Sequence, residues 1–294
     1  MLDVIIALLP VSAAAVIIFG MKSLALIATC VIASVLSEFI FNLACKKQQT
    51  VSDLSAAVTG LILALNLPTT VELWQAAVGS VISIVVVKCL FGGIGKNFAN
   101  PAMVGRIVLF LSFSAKVAGE SNPVIKSIAG IDAVSGATPL AEGAETIPGT
   151  MQLLFGLHGG SIGETCAIAL IIGGIYLLAR RIITWHIPVA FIGTVMLCTL
   201  LAGEDPIMHA LSGGLLIGAI FMATDYVTSP ATPLGKIIFG IGCGLITALI
   251  RIFGSFPEGV SFAILLMNIL SPYIEKWTVM RPLGTKKAKG GEAK

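Results

Sequence analysis

Apolar runs long enough to cross a bilayer recur along nearly the whole chain, separated by short polar or Gly/Pro-bearing breaks. Runs of that length and low charge read as membrane-spanning helices. The pattern predicts ten of them, at about 4–19, 24–41, 53–67, 71–88, 101–118, 161–179, 187–202, 207–223, 234–252 and 258–274. Several are short for a hydrocarbon core of about 30 Å, so half-helices or re-entrant turns are expected near Pro68, Pro101 and Pro230. One long polar stretch, 119–160, contains Gly, Ser, Thr and Pro without helical period and is too long for a simple connector. It divides the chain into a first five-helix unit at 1–118 and a second at 161–276, followed by a polar tail at 277–294. The expected fold class is therefore an all-α polytopic membrane protein.

The two units look related. Gly60 through Pro68 (GLILALNLP) lines up with Gly218 through Asp225 (GAIFMATD) near the same point of its unit. Phe91-Gly92 through Asn97-Phe98-Ala99-Asn100-Pro101-Ala102 lines up with Phe253-Gly254 through Glu258-Gly259-Val260-Ser261-Phe262-Ala263. An odd number of helices per unit forces the second copy upside down, which predicts two inverted five-helix repeats of the kind transporters use.

Composition fits a membrane chain: 56% of residues are hydrophobic, 11% charged, and mean hydropathy is +1.01. Soluble proteins carry roughly a quarter charged residues, and no segment here could bury a water-soluble core of its own. Asp3 stands before the first apolar run and no basic residue does, which predicts a retained helix rather than a cleaved signal peptide. The net charge of +3 forms no basic stripe, so nucleic acid is not an expected partner; the lipid bilayer is. Lys46-Lys47, Lys88 with Lys96, Arg180-Arg181 and the tail Lys286, Lys287 and Lys289 fall on alternate connections, which assigns those connections to the cytoplasm. Both termini are then cytoplasmic, and 119–160 lies on the other face. The six cysteines are scattered without C-x-x-C spacing, and His158, His186 and His209 lack a ligand partner at helical spacing, so no metal site is expected.

Three stretches could carry chemistry. Asp132, then Ser135-Gly136-Ala137-Thr138, lies in the long polar segment. Small residues expose the Thr138 hydroxyl, and Pro139 biases it towards an extended conformation. By residues alone this is also an ordinary surface turn. Gly92-Gly93-Ile94-Gly95-Lys96-Asn97-Phe98-Ala99-Asn100-Pro101-Ala102 offers two amides three apart, on one face if helical, or an asparagine-capped loop before a helix opened by Pro101. Its glycine spacing, with no strand before it, is wrong for a dinucleotide fingerprint. In Phe221 through Pro233, Asp225 flanked by Thr224 and Thr228 could coordinate a cation or bond a ligand, or the run could serve to cap helices, with Thr232 before Pro233 opening the next one. Glu38, Arg106 and Arg251 fall near membrane depth, where charges tend to be functional, but each is close enough to a helix end to snorkel outward. Trp74, Trp185 and Trp277 sit at helix ends, as interfacial aromatics do. Ser135 has no His–Asp constellation, which excludes a hydrolase, and no catalytic residue is assigned.

Taken together, these motifs and their order make the chain similar to the NqrB/RnfD family. That family comprises RnfD, of the Rnf ion-translocating electron-transport complex, and NqrB, of the sodium-pumping NADH:quinone reductase. The long N-terminal extension of NqrB is missing, since Asp3 already begins the first helix, which favours the Rnf branch. The resemblance implies inverted repeats related to urea-channel-like proteins and a place in a bacterial inner-membrane complex with the Rnf subunits C, G, A, E and B. In that complex, electron flow between reduced ferredoxin and NAD is coupled to Na⁺ or H⁺ movement. It implies FMN joined by phosphoester to Thr138 by a flavin transferase that reads Asp132, Ser135, Gly136 and Ala137. It also implies a second, non-covalent flavin, riboflavin, near Asn97 and Asn100, with Thr224, Asp225 and Thr228 in the matching threonine–aspartate signature. There the family commonly has proline after the aspartate; here Tyr226 stands. The competing expectation is a small-solute channel or transporter of the same fold without a redox role.

Overall fold

The computed structural model describes residues 1–118, 150–156, 159–164, 166–254 and 259–279. Among these the regular structure is helical throughout, with no strand element. We label the principal helices α1 (Leu2–Phe19), α2 (Met21–Ala44), α3 (Ser55–Leu65), α4 (Leu73–Cys89), α5 (Pro101–Ser112), α6 (Thr150–Phe155), α7 (Ala167–Ala179), α8 (His186–Ala202), α9 (Pro206–Leu211), α10 (the turn Leu215–Ile217 running on as the wider π-helical turn Gly218–Met222), α11 (Pro233–Phe253) and α12 (Val260–Thr278). Three are long and apolar enough to cross a membrane: α1, α2 and α11, with mean hydropathies of 2.6, 2.3 and 1.9. Five more, α3, α4, α5, α7 and α8, are apolar but shorter.

Helix ends follow local chemistry. Asn100 caps α5 by accepting from the Ala102 N–H at 3.0 Å, with Pro101 in the first turn, where its missing N–H costs nothing. Thr232 caps α11 in the same way, accepting from Gly235 N–H at 3.1 Å ahead of Pro233. Glu72 and Gln75 form a reciprocal capping box on α4. Gly20, at φ 75°, reverses the chain between α1 and α2 in a single residue.

Three predicted segments differ from the expectation. The segment at 101–118 ends its helix at Ser112 before a separate short turn, Ser114–Val117. The one at 207–223 is interrupted, with Ser212, Gly213 and Gly214 standing between α9 and α10. The one at 161–179 becomes helical only at Ala167, because the residues before it are used elsewhere. Ile162 N–H donates to Leu67 O at 3.1 Å and Gly163 N–H to Leu65 O at 2.8 Å. Those are carbonyls at the end of α3, an eleven-residue half-helix that covers only about 16 Å. A helix that stops inside apolar surroundings leaves carbonyls that must find donors within the protein. A segment from the other unit supplies them.

Side chains are distributed as lipid requires. Large apolar residues such as Ile17, Ile32, Ile175 and Leu201 point outward, while Glu38, Lys88, Arg106 and Glu164 are buried. Of the two readings open for Glu38 and Arg106, functional charge or outward snorkelling, the structure excludes snorkelling. Glu38 is 1% exposed and Arg106 5%, and each has polar partners inside the bundle that replace water. Arg251 also turns inward, donating to the carbonyls of His209 (2.6 Å), Ser212 (3.0 Å) and Gly213 (2.8 Å) at the break between α9 and α10. It serves there as the donor set that a broken helix lacks.

Packing is closest at glycines. A Cβ added at Gly60 on α3 would lie 2.6 Å from the Cys30 carbonyl oxygen and 2.9 Å from Val31 Cα, both α2 backbone. Gly60→Ala is expected to destabilise the protein by about 1–3 kcal/mol, since two helix backbones must separate. Thermal unfolding in detergent measures this, and an unchanged midpoint would show that α2 and α3 can part freely.

Candidate functional site

Between the two units, at the end of the bundle that holds Met1, lies a cavity of about 230 Å³. Its walls come from α1, α3, the end of α4 with the α4–α5 loop, the start of α5, the end of α7 with the following turn, and the end of α10 with the connection beyond it. Asn97, Asn100, Thr224 and Asp225 all face it, although the sequence separates them by more than a hundred residues. The apolar wall includes Ile62, Ile183, Ile220 and Phe221. An apolar slot with a few convergent polar groups is the usual form of a small-molecule site.

The loop that delivers Asn97 explains its glycines. Gly92, Gly93 and Gly95 have φ of 110°, 93° and 84°, a region that side chains rarely occupy. A Cβ at Gly93 or Gly95 would meet nothing within 4 Å, so backbone conformation rather than space requires glycine at those two. The asparagines do not share a helical face, because residues 96–100 are irregular. Both reach the cavity all the same.

The two amides are differently employed. Asn100 is spent within the protein: its oxygen caps α5, and its Nδ2 donates to the Met222 carbonyl at 3.3 Å, joining the two units. Asn97 Oδ1 is buried with no hydrogen-bond partner in the structure. A buried acceptor left without a donor costs about 1–3 kcal/mol, so this atom, on a cavity wall, is the strongest local indication of a ligand N–H. The Thr224 hydroxyl donates to Ile220 O at 2.6 Å, leaving it only acceptor capacity. Asp225 accepts from Val227 N–H (3.4 Å) and the Thr228 hydroxyl (3.3 Å). Burial pushes the Asp225 carboxyl above the usual carboxylate range, and those two bonds partly oppose the rise. Thr228 does not line the cavity; it holds Asp225 from behind.

The remaining predicted positions, Asp132, Ser135, Gly136, Ala137 and Thr138, lie outside the described residues. Four polar residues that sequence reasoning does not assign to a site also line the cavity: Ser55, Thr59, Lys88 and Tyr226. By sequence Lys88 is only a marker of sidedness. The signal that could have drawn attention to it is its position after the apolar run Ile84-Val85-Val86-Val87. Among the described residues no group of His, Cys, Asp and Glu is arranged to hold a metal ion.

A sequence model of the NQR2, RnfD, RnfE family matches residues 1–284. The chain is similar to the D subunit of the Na(+)-translocating ferredoxin:NAD(+) oxidoreductase complex of Acetobacterium woodii, 48% identical over 295 residues covering 98% of this chain and 91% of that one. It is 41% identical over 308 residues, 98% and 92% of the two chains, to the D subunit of the proton-translocating ferredoxin:NAD(+) oxidoreductase complex of Clostridium ljungdahlii. The D subunit of the ion-translocating oxidoreductase complex of Escherichia coli is 34% identical over 332 residues, 98% and 94% of the two chains.

Proposed function

The chain belongs to the NQR2, RnfD, RnfE family, and from that premise we propose that it carries two flavins in the bacterial inner membrane and relays electrons between them. It is a membrane subunit of an ion-translocating ferredoxin:NAD oxidoreductase complex of the Rnf type. In this reading FMN is attached to Thr138 by a flavin transferase that recognises Asp132, Ser135, Gly136 and Ala137. Riboflavin occupies the cavity between the units. The flavins supply the electron transfer; the protein sets their positions and surroundings. The Rnf subunits C, G, A, E and B complete the complex. The relatives are named for different ions, Na⁺ in Acetobacterium and protons in Clostridium, so the coupling ion is not carried by overall similarity.

The architecture of this reading is ten membrane spans in two inverted five-helix repeats, with both termini cytoplasmic and Thr138 on the opposite face. Packing supports the repeat. Counting α9 with α10 as one segment, the second helix packs on the fourth in each unit (α2 on α4, α8 on α11), and the third packs on the first, second and fifth. Across the units, first packs on first (α1 on α7) and fifth on fifth (α5 on α12). Each fourth helix also sends a base from near its end to the third: Lys88 to the Ser55 hydroxyl at its start, Arg251 to the Ser212 and Gly213 carbonyls at its break.

The observation that carries the second flavin is the unpartnered Asn97 Oδ1 in an apolar slot shared with Asn100, Thr224 and Asp225. An isoalloxazine fits such a slot, being flat and apolar on its faces with donors and acceptors on one edge. Asn97→Leu keeps the volume and removes the acceptor, so acid-extractable flavin per subunit is expected to fall about tenfold. Extractable flavin equal to that of the parent in well-folded Asn97→Leu protein would remove the asparagine from the site.

A further inference from the structure

Beyond that reading, and resting on it, we infer that Lys88 is the electrostatic tuning group of the cavity, and that Glu38 and Ser55 hold its ammonium in place so that its positive end favours the reduced, anionic form of the bound flavin. Lys88 lines the cavity yet is only 2% exposed. Its Nζ lies 2.6 Å from Glu38 Oε1 and 2.5 Å from Ser55 Oγ. Two of its three N–H groups are thus committed to fixed partners on α2 and α3, leaving one donor for another group. Ser55 is itself anchored, its hydroxyl donating to Asp53 Oδ1 at 2.5 Å. Glu38 is fixed from the far side: the Thr50 hydroxyl donates to Oε1 at 2.6 Å, and Asn42 Nδ2 donates to Thr50 at 3.1 Å.

The arrangement is directional. Glu38 does not line the cavity, whereas Lys88 does, so a pair neutral in sum presents its positive end to whatever occupies the slot. Burying such a pair is costly, and stability alone would be served as well by apolar residues of the same shape. Fixed charge beside a ligand cavity, away from water, acts with far less screening than in solvent. Reduction gives that charge something to act on. An oxidised isoalloxazine is neutral; taking up two electrons and one proton leaves it an anion, because its N1 proton is lost near neutrality. The cation therefore binds the reduced form more strongly than the oxidised form, and by linkage the couple moves to higher potential.

The test is spectroelectrochemical titration of the extractable flavin in the full-length subunit. The principal variant is Lys88→Met/Glu38→Gln, which removes the positive end without leaving a lone buried carboxylate. We expect retained flavin whose preference for the reduced form is about tenfold weaker, a fall of about 30 mV for a two-electron couple. Lys88→Arg keeps the charge and should hold the parent potential; a fall equal to that of the double variant would overturn the electrostatic assignment. A double variant with full flavin and an unmoved potential would overturn this inference and leave the flavin reading standing. A parent subunit with no extractable flavin would overturn the reading of the cavity, and this inference with it. If the double variant folds but binds no flavin in either redox state, Lys88 is a binding group rather than a tuning group, and the inference fails.

Discussion

Produced together with a flavin transferase and then denatured, the parent subunit is expected to be heavier than its sequence mass by FMN less one water, and Thr138→Val is expected to show no such addition. A phosphoester needs a hydroxyl that an enzyme can reach, and Ser135-Gly136-Ala137 leaves little bulk around Thr138, with Pro139 stiffening the exit. Valine has threonine's shape and branching but no oxygen to esterify, so it removes the bond and little else. Ser135 serves as an internal control, being a hydroxyl three residues away in the same segment. Ser135→Ala should keep the covalent flavin if Ser135 is read by the transferase only for its small size, and should lose it if its hydroxyl is read. Retained FMN in Ser135→Ala, with FMN lost in Thr138→Val, places the bond on Thr138. Unmodified parent protein beside an active transferase would sink the covalent assignment and leave the non-covalent cavity as the candidate flavin site among the described residues. The effect is all or none, which makes intact mass the most decisive single measurement.

Much of the fold was legible because lipid imposes a simple rule on sequence. Apolar runs mark helices, and Asn100-Pro101 and Thr232-Pro233 mark two of their starts, as the caps in the structure bear out. What could not be read locally is what residues distant in sequence do for one another. Nothing near Gly163 says that its N–H caps the end of α3, about a hundred residues earlier, yet that bond is why α7 begins at Ala167 and not at 161. A Cβ there would sit 2.6 Å from Leu65 Cβ and 2.8 Å from the Leu65 carbonyl oxygen, so the glycine belongs to the contact rather than to a turn signal. The same holds for charge. Lys88 reads as a cytoplasmic marker because a lysine beside a helix end usually snorkels; only the fold supplies Glu38 and Ser55 as reasons for it to stay inside. For the candidate site, the residue types were legible in three separate stretches. The division of labour between Asn97, whose oxygen is left without a partner, and Asn100, which ties α5 to α10, required the geometry.

The same dependence on distant partners makes Arg106→Met the substitution expected to cost most in stability. Arg106 on α5 donates through Nη1 to the Ser261 hydroxyl of α12 at 2.5 Å, and its Nη2 lies 3.5 Å from Glu164 Oε1. Both side chains are almost wholly buried, at 6% and 2% exposure. Glu164 Oε1 lies close against Gly214, where the chain re-enters helix as α10: a Cβ there would be 2.7 Å away. One guanidinium thus connects α5, the segment before α7 and α12, while the carboxylate it faces abuts the start of α10. Methionine fills similar space but leaves the carboxylate in low dielectric without the guanidinium it faces. Breaking a buried pair on one side costs about 3–5 kcal/mol, a large part of the stability of any domain. Pairing the change with Glu164→Gln removes the stranded charge, and replacing both partners of a buried pair is often close to neutral. The double variant is therefore expected to recover most of the loss. Thermal unfolding of the parent, the two single variants and the double variant closes the cycle. Additive losses would show that the two charges do not act on each other, and that their pairing does not contribute to the junction between the units.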